Sequence, residues 1–287
     1  MSPLVSSAWL SARLQDPTVV VLDATLPPVG VTPVVDTRAR YLAQHIPGAV
    51  FFDIEELSDH ATLLPHMLPT PEAFAGAMSI LGIGDRMTIV VYEQEGVFSA
   101  PRARWMLRVF GAPHVYLLDG GLAAWLAAGL PTESGPVHRT PAPFTAKLDA
   151  DAVRSYAQIQ QTIAARGQIG GQIGNQIVDA RSADRFAGTA PEPRPGLSSG
   201  HMPGSTSLPF TELVSDGRLK DPTQLREIFR EKSIDLDRPI TTSCGSGVTA
   251  AVIVLGLEIA GASQVALYDG SWAEYAQQPN AIIEKSL

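Results

Sequence analysis

HIPGAVFFDIEEL (45–57) and HMPGSTSLPFTEL (201–213) align without a gap, and the match does not stand alone. Further along, FGAPHVYLLDGGLAAW (110–125) aligns with AGASQVALYDGSWAEY (260–275), and between these blocks IVVYE (89–93) aligns with ITTSC (240–244). Upstream, DTR (36–38) is matched to DAR (179–181). Four blocks in the same order in both halves indicate a duplicated domain. The period, about 150 residues, is far too long for a solenoid.

Each half reads as an alternation of strands and helices. VVVLDAT (19–25), TIVVYE (88–93) and VYLLDGG (115–121) are short, β-branched and bounded by turn residues, and so predict buried strands. QIVDAR (176–181), PITTSC (239–244) and VALYDG (265–270) are their counterparts. Helices are expected over APRARWMLRVFGA (100–112), GLAAWLAAGLP (121–131) and VTAAVIVLGLEIAGA (248–262). The expected fold class is therefore α/β: two tandem domains, each a mostly parallel sheet flanked by helices, with sites at the C-terminal ends of strands. The expected division is an N-terminal domain over 1–135, a linker over 136–150 and a C-terminal domain over 151–287. The linker overlaps the proline-rich ESGPVHRTPAPF (133–144), and GQIGGQIGNQ (167–176) reads as a surface loop.

Composition narrows the function classes. The 287 residues hold 21 Lys plus Arg against 29 Asp plus Glu, a formal charge of −8. Such a chain is a poor nucleic-acid partner, because phosphate contacts need clustered cations. A single cysteine rules out an intramolecular disulfide and the multi-cysteine zinc patterns. The histidines at 60, 114 and 138 lack metal-ligand spacing, so neither a metal nor a cofactor is expected. The longest apolar stretch, 248–262, contains Glu258 and is too short to span a membrane. The N-terminus lacks a basic segment followed by an apolar core, so the expected location is cytoplasmic.

The one cysteine is the most informative residue. Cys244 ends a strand-like segment and opens CGSGVTA (244–250), which leads into a helix. Gly245 and Gly247 allow successive N–H groups to turn inward. With the helix N-terminus, the backbone of Gly245, Ser246, Gly247, Val248 and Thr249 would form an anion bowl that favours the thiolate, the useful nucleophile. This reading expects a sulfur open to solvent and facing those amides. At the matched position the first half has Glu93, in EQEGVF (93–98), so the first half should not perform the same chemistry.

HIPGA (45–49), PHMLP (65–69), FSAPRARWML (98–107), LLDGGL (117–122), DARSADRFAGTAPEPRPG (179–196), CGSGVTA (244–250) and YDGSW (268–272) together resemble the rhodanese-type sulfurtransferases. Within them the chain is similar to the two-domain 3-mercaptopyruvate sulfurtransferases, over nearly its whole length. The resemblance implies two rhodanese-like domains, with only the C-terminal one bearing the sulfur-carrying cysteine. It implies transfer of sulfur from 3-mercaptopyruvate through a persulfide on Cys244. The acceptor would be cyanide or a thiol, such as thioredoxin or a small thiol, and pyruvate would be released.

The loop side chains Ser246, Val248 and Thr249 carry no charge, so cations that hold the donor should lie outside the loop. Between the matched DTR/DAR triplets and the H-x-P-G turns the second half is longer, and Arg185 and Arg194 fall in that stretch. An arginine can grip a carboxylate with two parallel bonds. By resemblance, Arg185 and Arg194 bind the substrate's carboxylate and carbonyl, and Ser246, His66 and Glu55 match a proposed proton relay. Arg38 and Arg181, in the matched triplets, are expected in structural ion pairs. His45 and His201 are expected to serve turn structure, and Trp272 either walls the site or packs in the core. A cysteine phosphatase needs an arginine six positions after the cysteine, where this chain has Ala250. A thiosulfate:cyanide sulfurtransferase and a non-catalytic sulfur-carrier module are the alternatives.

Overall fold

The computed structural model describes residues 2–31, 33–166 and 175–286. Residues 167–174 of the Gly/Gln run lie outside the described residues. The chain forms two units. Unit 1 comprises residues up to 61, 68–149 and 216–219; unit 2 comprises 62–67, 150–215 and 220 onward.

In unit 1 the strands are β1 (Leu4–Val5), β2 (Val19–Asp23), β3 (Val50–Phe51), β4 (Thr88–Tyr92) and β5 (His114–Leu118). They form one sheet in the order β1-β5-β4-β2-β3, and every pairing is parallel. The helices are α1 (Ser7–Ser11), α2 (Thr37–Ala43), α3 (Pro71–Ile80), α4 (Ala100–Val109) and α5 (Gly121–Ala127). Unit 2 repeats the plan. Its five-stranded sheet is built from β6 (Val153–Arg154), β7 (Gln176–Asp179), β8 (Thr206–Ser207), β11 (Ile240–Ser243) and β12 (Val265–Tyr268). Their order, β6-β12-β11-β7-β8, is again wholly parallel. Its helices are α6 (Tyr156–Arg166), α7 (Ala183–Ala187), α8 (Pro222–Glu231), α9 (Ala250–Ala260) and α10 (Ser271–Tyr275); the two-residue strands β9 (Val214–Ser215), in unit 2, and β10 (Arg218–Leu219), in unit 1, lie outside both five-stranded sheets.

The central strands are sealed on both faces, so their side chains do not alternate between core and solvent. All five residues of β2 are buried, as are all four of β7 and of β11. The helices that follow the central strands, α4 and α9, are buried nearly all round. The apolar α9 has to lie inside the protein, whereas α4 is buried together with its arginines Arg102 and Arg104. In α9 the close packing reaches the backbone: a Cβ on Gly256 would stand 2.8 Å from Leu213 Cδ1.

The stretch read as a linker packs as part of unit 1. Phe144 is buried against Phe74, and the amides of Lys147 and Asp149 donate to the carbonyls of Phe110 and Val109. The two-residue strands β1, β3, β6 and β8 complete the sheets although nothing in the sequence marks them, since two residues have no period. Among the described residues no helix is long and apolar enough to cross a membrane.

The tight turn after β5 depends on Gly121, whose φ of 56° is left-handed. A Cβ there would stand 2.3 Å from the backbone oxygen of Glu93. Gly121→Ala should therefore destabilise unit 1 by at least about 1–3 kcal/mol in urea unfolding. Gly76→Ala, on an exposed turn of α3 with open space around it, should stabilise by about 0.5–1 kcal/mol.

Candidate active site

Cys244 is the first residue beyond β11, at the C-terminal end of the central strand of unit 2. Gly247, with φ of 78°, turns the chain back into α9, which begins at Ala250. Among the described residues, no acceptor takes the backbone N–H of Gly245, Ser246, Gly247, Val248, Thr249 or Ala250. Such a run of unpartnered amides at a helix start is an anion site in waiting. The start of α10 pins the loop. Trp272 N–H donates to the Cys244 carbonyl at 3.0 Å, and Ala273 N–H to the Gly245 carbonyl at 2.9 Å.

Ser271 is a participant that the sequence reading missed. Its hydroxyl donates to the Tyr268 carbonyl at 2.8 Å and accepts the Cys244 N–H at 3.2 Å. It is fully buried and holds a left-handed φ of 49°, where the first half has Gly121. A serine in that conformation costs about 1–3 kcal/mol that a glycine avoids. The repeat alignment, YDGS against LDGG, carried the signal. One expectation is not met: Cys244 is only 2% exposed, so its thiol is not open to solvent in this conformation.

Unit 1 contains the same loop with an occupant. Gly96, with φ of 75°, matches Gly247, and Glu93 stands where Cys244 does. The Glu93 carboxylate accepts from the amides of Phe98 at 2.7 Å, Ser99 at 3.0 Å and Ala100 at 3.2 Å, and from the Ser99 hydroxyl at 3.2 Å. The counterparts of Phe98 and Ser99 in unit 2, Thr249 and Ala250, leave their amides unbonded. Burial pushes the Glu93 carboxyl above the usual range, while these donors pull it down. Glu95 lies outside the bowl, exposed and paired with Arg40 at 2.6 Å.

The arginines require a correction to the alignment. Asp179 ends β7 as Asp23 ends β2, and the carbonyls of Asp23 and Asp179 accept from Phe52 and Leu208 at 2.7 and 2.9 Å. The counterpart of DAR (179–181) is therefore Asp23-Ala24-Thr25, not DTR (36–38). Asp36 instead caps α2. Tyr41 stacks on His45 as Phe186 stacks on His201, so Arg40 is the counterpart of Arg185. Only Arg194 lies in the extra stretch. It is nevertheless close to Arg185: a Cβ on Gly245 would stand 3.2 Å from Arg185 Nη2 and 3.6 Å from Arg194 Nη1. Arg194 also donates to Ser246 Oγ at 3.2 Å.

Behind these two lies a buried chain of charge. Arg181 grips Asp179 with bonds of 2.7–3.1 Å, donates to Glu192 at 2.7 Å and lies 4.1 Å above the Trp272 ring. Burial opposes the Arg181 charge, but Asp179 and Glu192 outweigh it and hold its pKa above the ordinary value. Glu192 also takes Arg185, at 2.5 Å. Arg38, by contrast, pairs with Asp53 and Glu56 at the surface.

Residues 62–67 belong to unit 2, and they bring His66 to the loop. His66 Nδ1 is 2.9 Å from Ser246 Oγ. The histidine is buried and held at a left-handed φ of 60°. Glu55 lies on the exposed turn 54–57 of unit 1. His45 and His201 donate Nδ1–H to the carbonyls of Tyr41 and Phe186, at 2.8 and 2.9 Å, as turn-fixing residues do. Trp272 is fully buried in a core cluster of unit 2, with its indole N–H on the Ser198 carbonyl.

Comparison with known proteins agrees with this architecture. The rhodanese-like domain family matches at residues 6–128 and 162–278. The chain is 43% identical to 3-mercaptopyruvate sulfurtransferase of Mus musculus, over 98% of this chain and 95% of that one. It is also 43% identical to the protein of that name from Escherichia coli (strain K12), over 98% and 97% of the two chains. The crystal structure of SseA from Escherichia coli, described as a 3-mercaptopyruvate sulfotransferase, superposes with a TM-score of 0.86 at 42% identity, covering 95% of this chain and 99% of that one. The chain belongs to the rhodanese-like family, as a protein with two such domains.

Glu93→Gln tests the occupied bowl of unit 1. Both carboxylate oxygens accept N–H bonds, so the amide nitrogen of glutamine must face a donor whichever way it turns. The expected loss in urea unfolding is about 1–3 kcal/mol. Unchanged stability would show that those amides do not hold the side chain.

Proposed function

We propose that the protein is a 3-mercaptopyruvate sulfurtransferase that carries sulfur on Cys244. The observation that supports this most directly is the set of unpartnered amides from Gly245 to Ala250, of which the last two have counterparts in unit 1, at Phe98 and Ser99, that already grip a carboxylate. A persulfide ends in an anionic sulfur, which backbone amides can hold without any cationic side chain in the loop.

The Cys244 thiolate attacks the sulfur of the donor. An S–S bond forms, the C–S bond breaks, and its electron pair leaves as the enolate of pyruvate. That carbon then takes a proton. Ser246 Oγ, between His66 Nδ1 at 2.9 Å and Arg194 Nη2 at 3.2 Å, is placed to supply the proton and recover it from His66. Glu55 is assigned the acid of this relay on its sequence position alone. Arg185 and Arg194 hold the donor's carboxylate and carbonyl. An acceptor thiolate or cyanide then takes the outer sulfur and restores the Cys244 thiolate. The acceptor is a small thiol or thioredoxin, and a reducing compartment such as the cytoplasm suits a lone thiol that must stay unoxidised.

The low exposure of Cys244 adds a requirement: the side chains around the loop must yield before a donor reaches the sulfur. Glu93, filling the other bowl, leaves unit 1 without this chemistry.

Two measurements test the reading. The intact mass of the wild-type protein should rise by one sulfur atom on treatment with mercaptopyruvate, and that of Cys244→Ser should not. A sulfur gained by Cys244→Ser would overturn the assignment. Arg194→Ala should raise KM for mercaptopyruvate at least about tenfold, the loss of one charge-assisted contact; an unchanged KM would remove it from the donor site.

A further inference from the structure

Arg185 does not face the loop as an isolated cation. Its guanidinium is held by Glu192 at 2.5 Å through Nη2 and at 3.3 Å through Nε. The other side of Glu192 is held by Arg181, and Arg181 by Asp179. The side chains of Asp179, Arg181 and Glu192 are 0–1% exposed, whereas Arg185 retains 23%. Two guanidiniums and two carboxylates thus form one water-excluded chain with no net charge. Its exposed end is the guanidinium beside Gly245. Charges so buried are screened little by salt.

We propose that Glu192 is a specificity-determining residue that limits the positive charge offered by Arg185 and so matches the site to a donor with one negative charge rather than two. This rests on the sulfurtransferase reading and says which donors that reading favours. Mercaptopyruvate carries a single carboxylate with its sulfur at the far end. Thiosulfate carries two charges close to the sulfur it gives up. A neutral chain ending in Arg185 still supplies the paired N–H donors that a carboxylate needs, but not the excess field that rewards a dianion. The uncharged loop around Cys244 acts in the same direction, and Glu192 extends that economy of charge to the donor-binding side. The carboxylate achieves this from behind Arg185, without touching the donor, so it is a positioning and charge-setting residue rather than a catalytic one.

Unit 1 shows the same element with its charge satisfied differently. Arg40, the counterpart of Arg185, pairs with Glu95, and Glu95 occupies the position of Ser246. In unit 2 the neutralising carboxylate has moved from the loop to the segment 187–200, which leaves the loop side of Arg185 available to a substrate.

The test compares two donors and two inert anions. Glu192→Gln preserves shape and removes one negative charge. The ratio of kcat/KM for thiosulfate to that for mercaptopyruvate should rise at least tenfold. Glu192→Asp keeps the charge, so its ratio should stay within threefold of wild type even if both activities fall. A merely structural role would lower both donors together and leave the ratio of Glu192→Gln unchanged, which would overturn the proposal. So would an equal shift in Glu192→Asp. Calorimetric binding of pyruvate and sulfate to the wild-type protein needs neither a variant nor turnover. Wild type should bind pyruvate at least as tightly as sulfate, and a tenfold preference for sulfate would sink the charge argument. Absence of turnover with either donor in the wild type would instead count against the sulfurtransferase reading, with the anion preference still deciding the role of Glu192.

Discussion

Unit 2 is arranged around six consecutive amides, Gly245 to Ala250, that have no partner among the described residues. Buried or half-buried N–H groups left unbonded are costly, and folded chains seldom tolerate even one. Here the cost is concentrated at the C-terminal end of the central strand, with Gly247 turning the backbone and α9 continuing it. The arrangement persists because the rest of the unit fixes it. The first turn of α10 holds the carbonyls of Cys244 and Gly245, Ser271 holds the Cys244 amide, and α9 is buried nearly all round. In the proposed reaction, an anion on the sulfur would offset what the fold leaves unsatisfied.

Unit 1 shows what happens when the same backbone satisfies itself. Its loop turns at a glycine with nearly the same φ, and the side chain at its first position folds back to take three of the amides. With Glu in place of Cys at its first position, the unit 1 loop is a closed structural feature. The positive-φ residue of the following turn changes in parallel. Gly121 meets the steric demand at no cost, while Ser271 meets it under strain and gains a hydroxyl directly beneath the cysteine amide.

The charge arrangement follows the same logic of supply limited to need. Arg185 is supported from behind by a buried carboxylate shared with Arg181, and Arg181 in turn is stacked on the buried Trp272. A guanidinium with such backing keeps its direction, so the proposed donor would meet a fixed fork rather than a mobile side chain.

The duplication, the parallel α/β plan, the loop from Cys244 to Thr249 and the family are all legible in the order of residues. These are properties of local pattern: apolar runs of strand length, glycines at turn positions, and blocks repeated in order. The sequence also marked Arg185, Arg194, Ser246 and His66, through their place in motifs. It did not reveal the two-residue strands, which have no period to read. That residues 62–67 join the second unit was signalled only by the resemblance, which matched His66 with Ser246, because local pattern does not record a long-range choice. The sequence reading misaligned the triplets, since DTR resembles DAR in letters while Asp23 and Asp179 share the backbone bonds. Ser271, Glu192 and the low exposure of Cys244 emerged only from the tertiary structure. Each depends on which groups from distant segments meet in space, and burial and hydrogen bonding are settled there rather than along the chain.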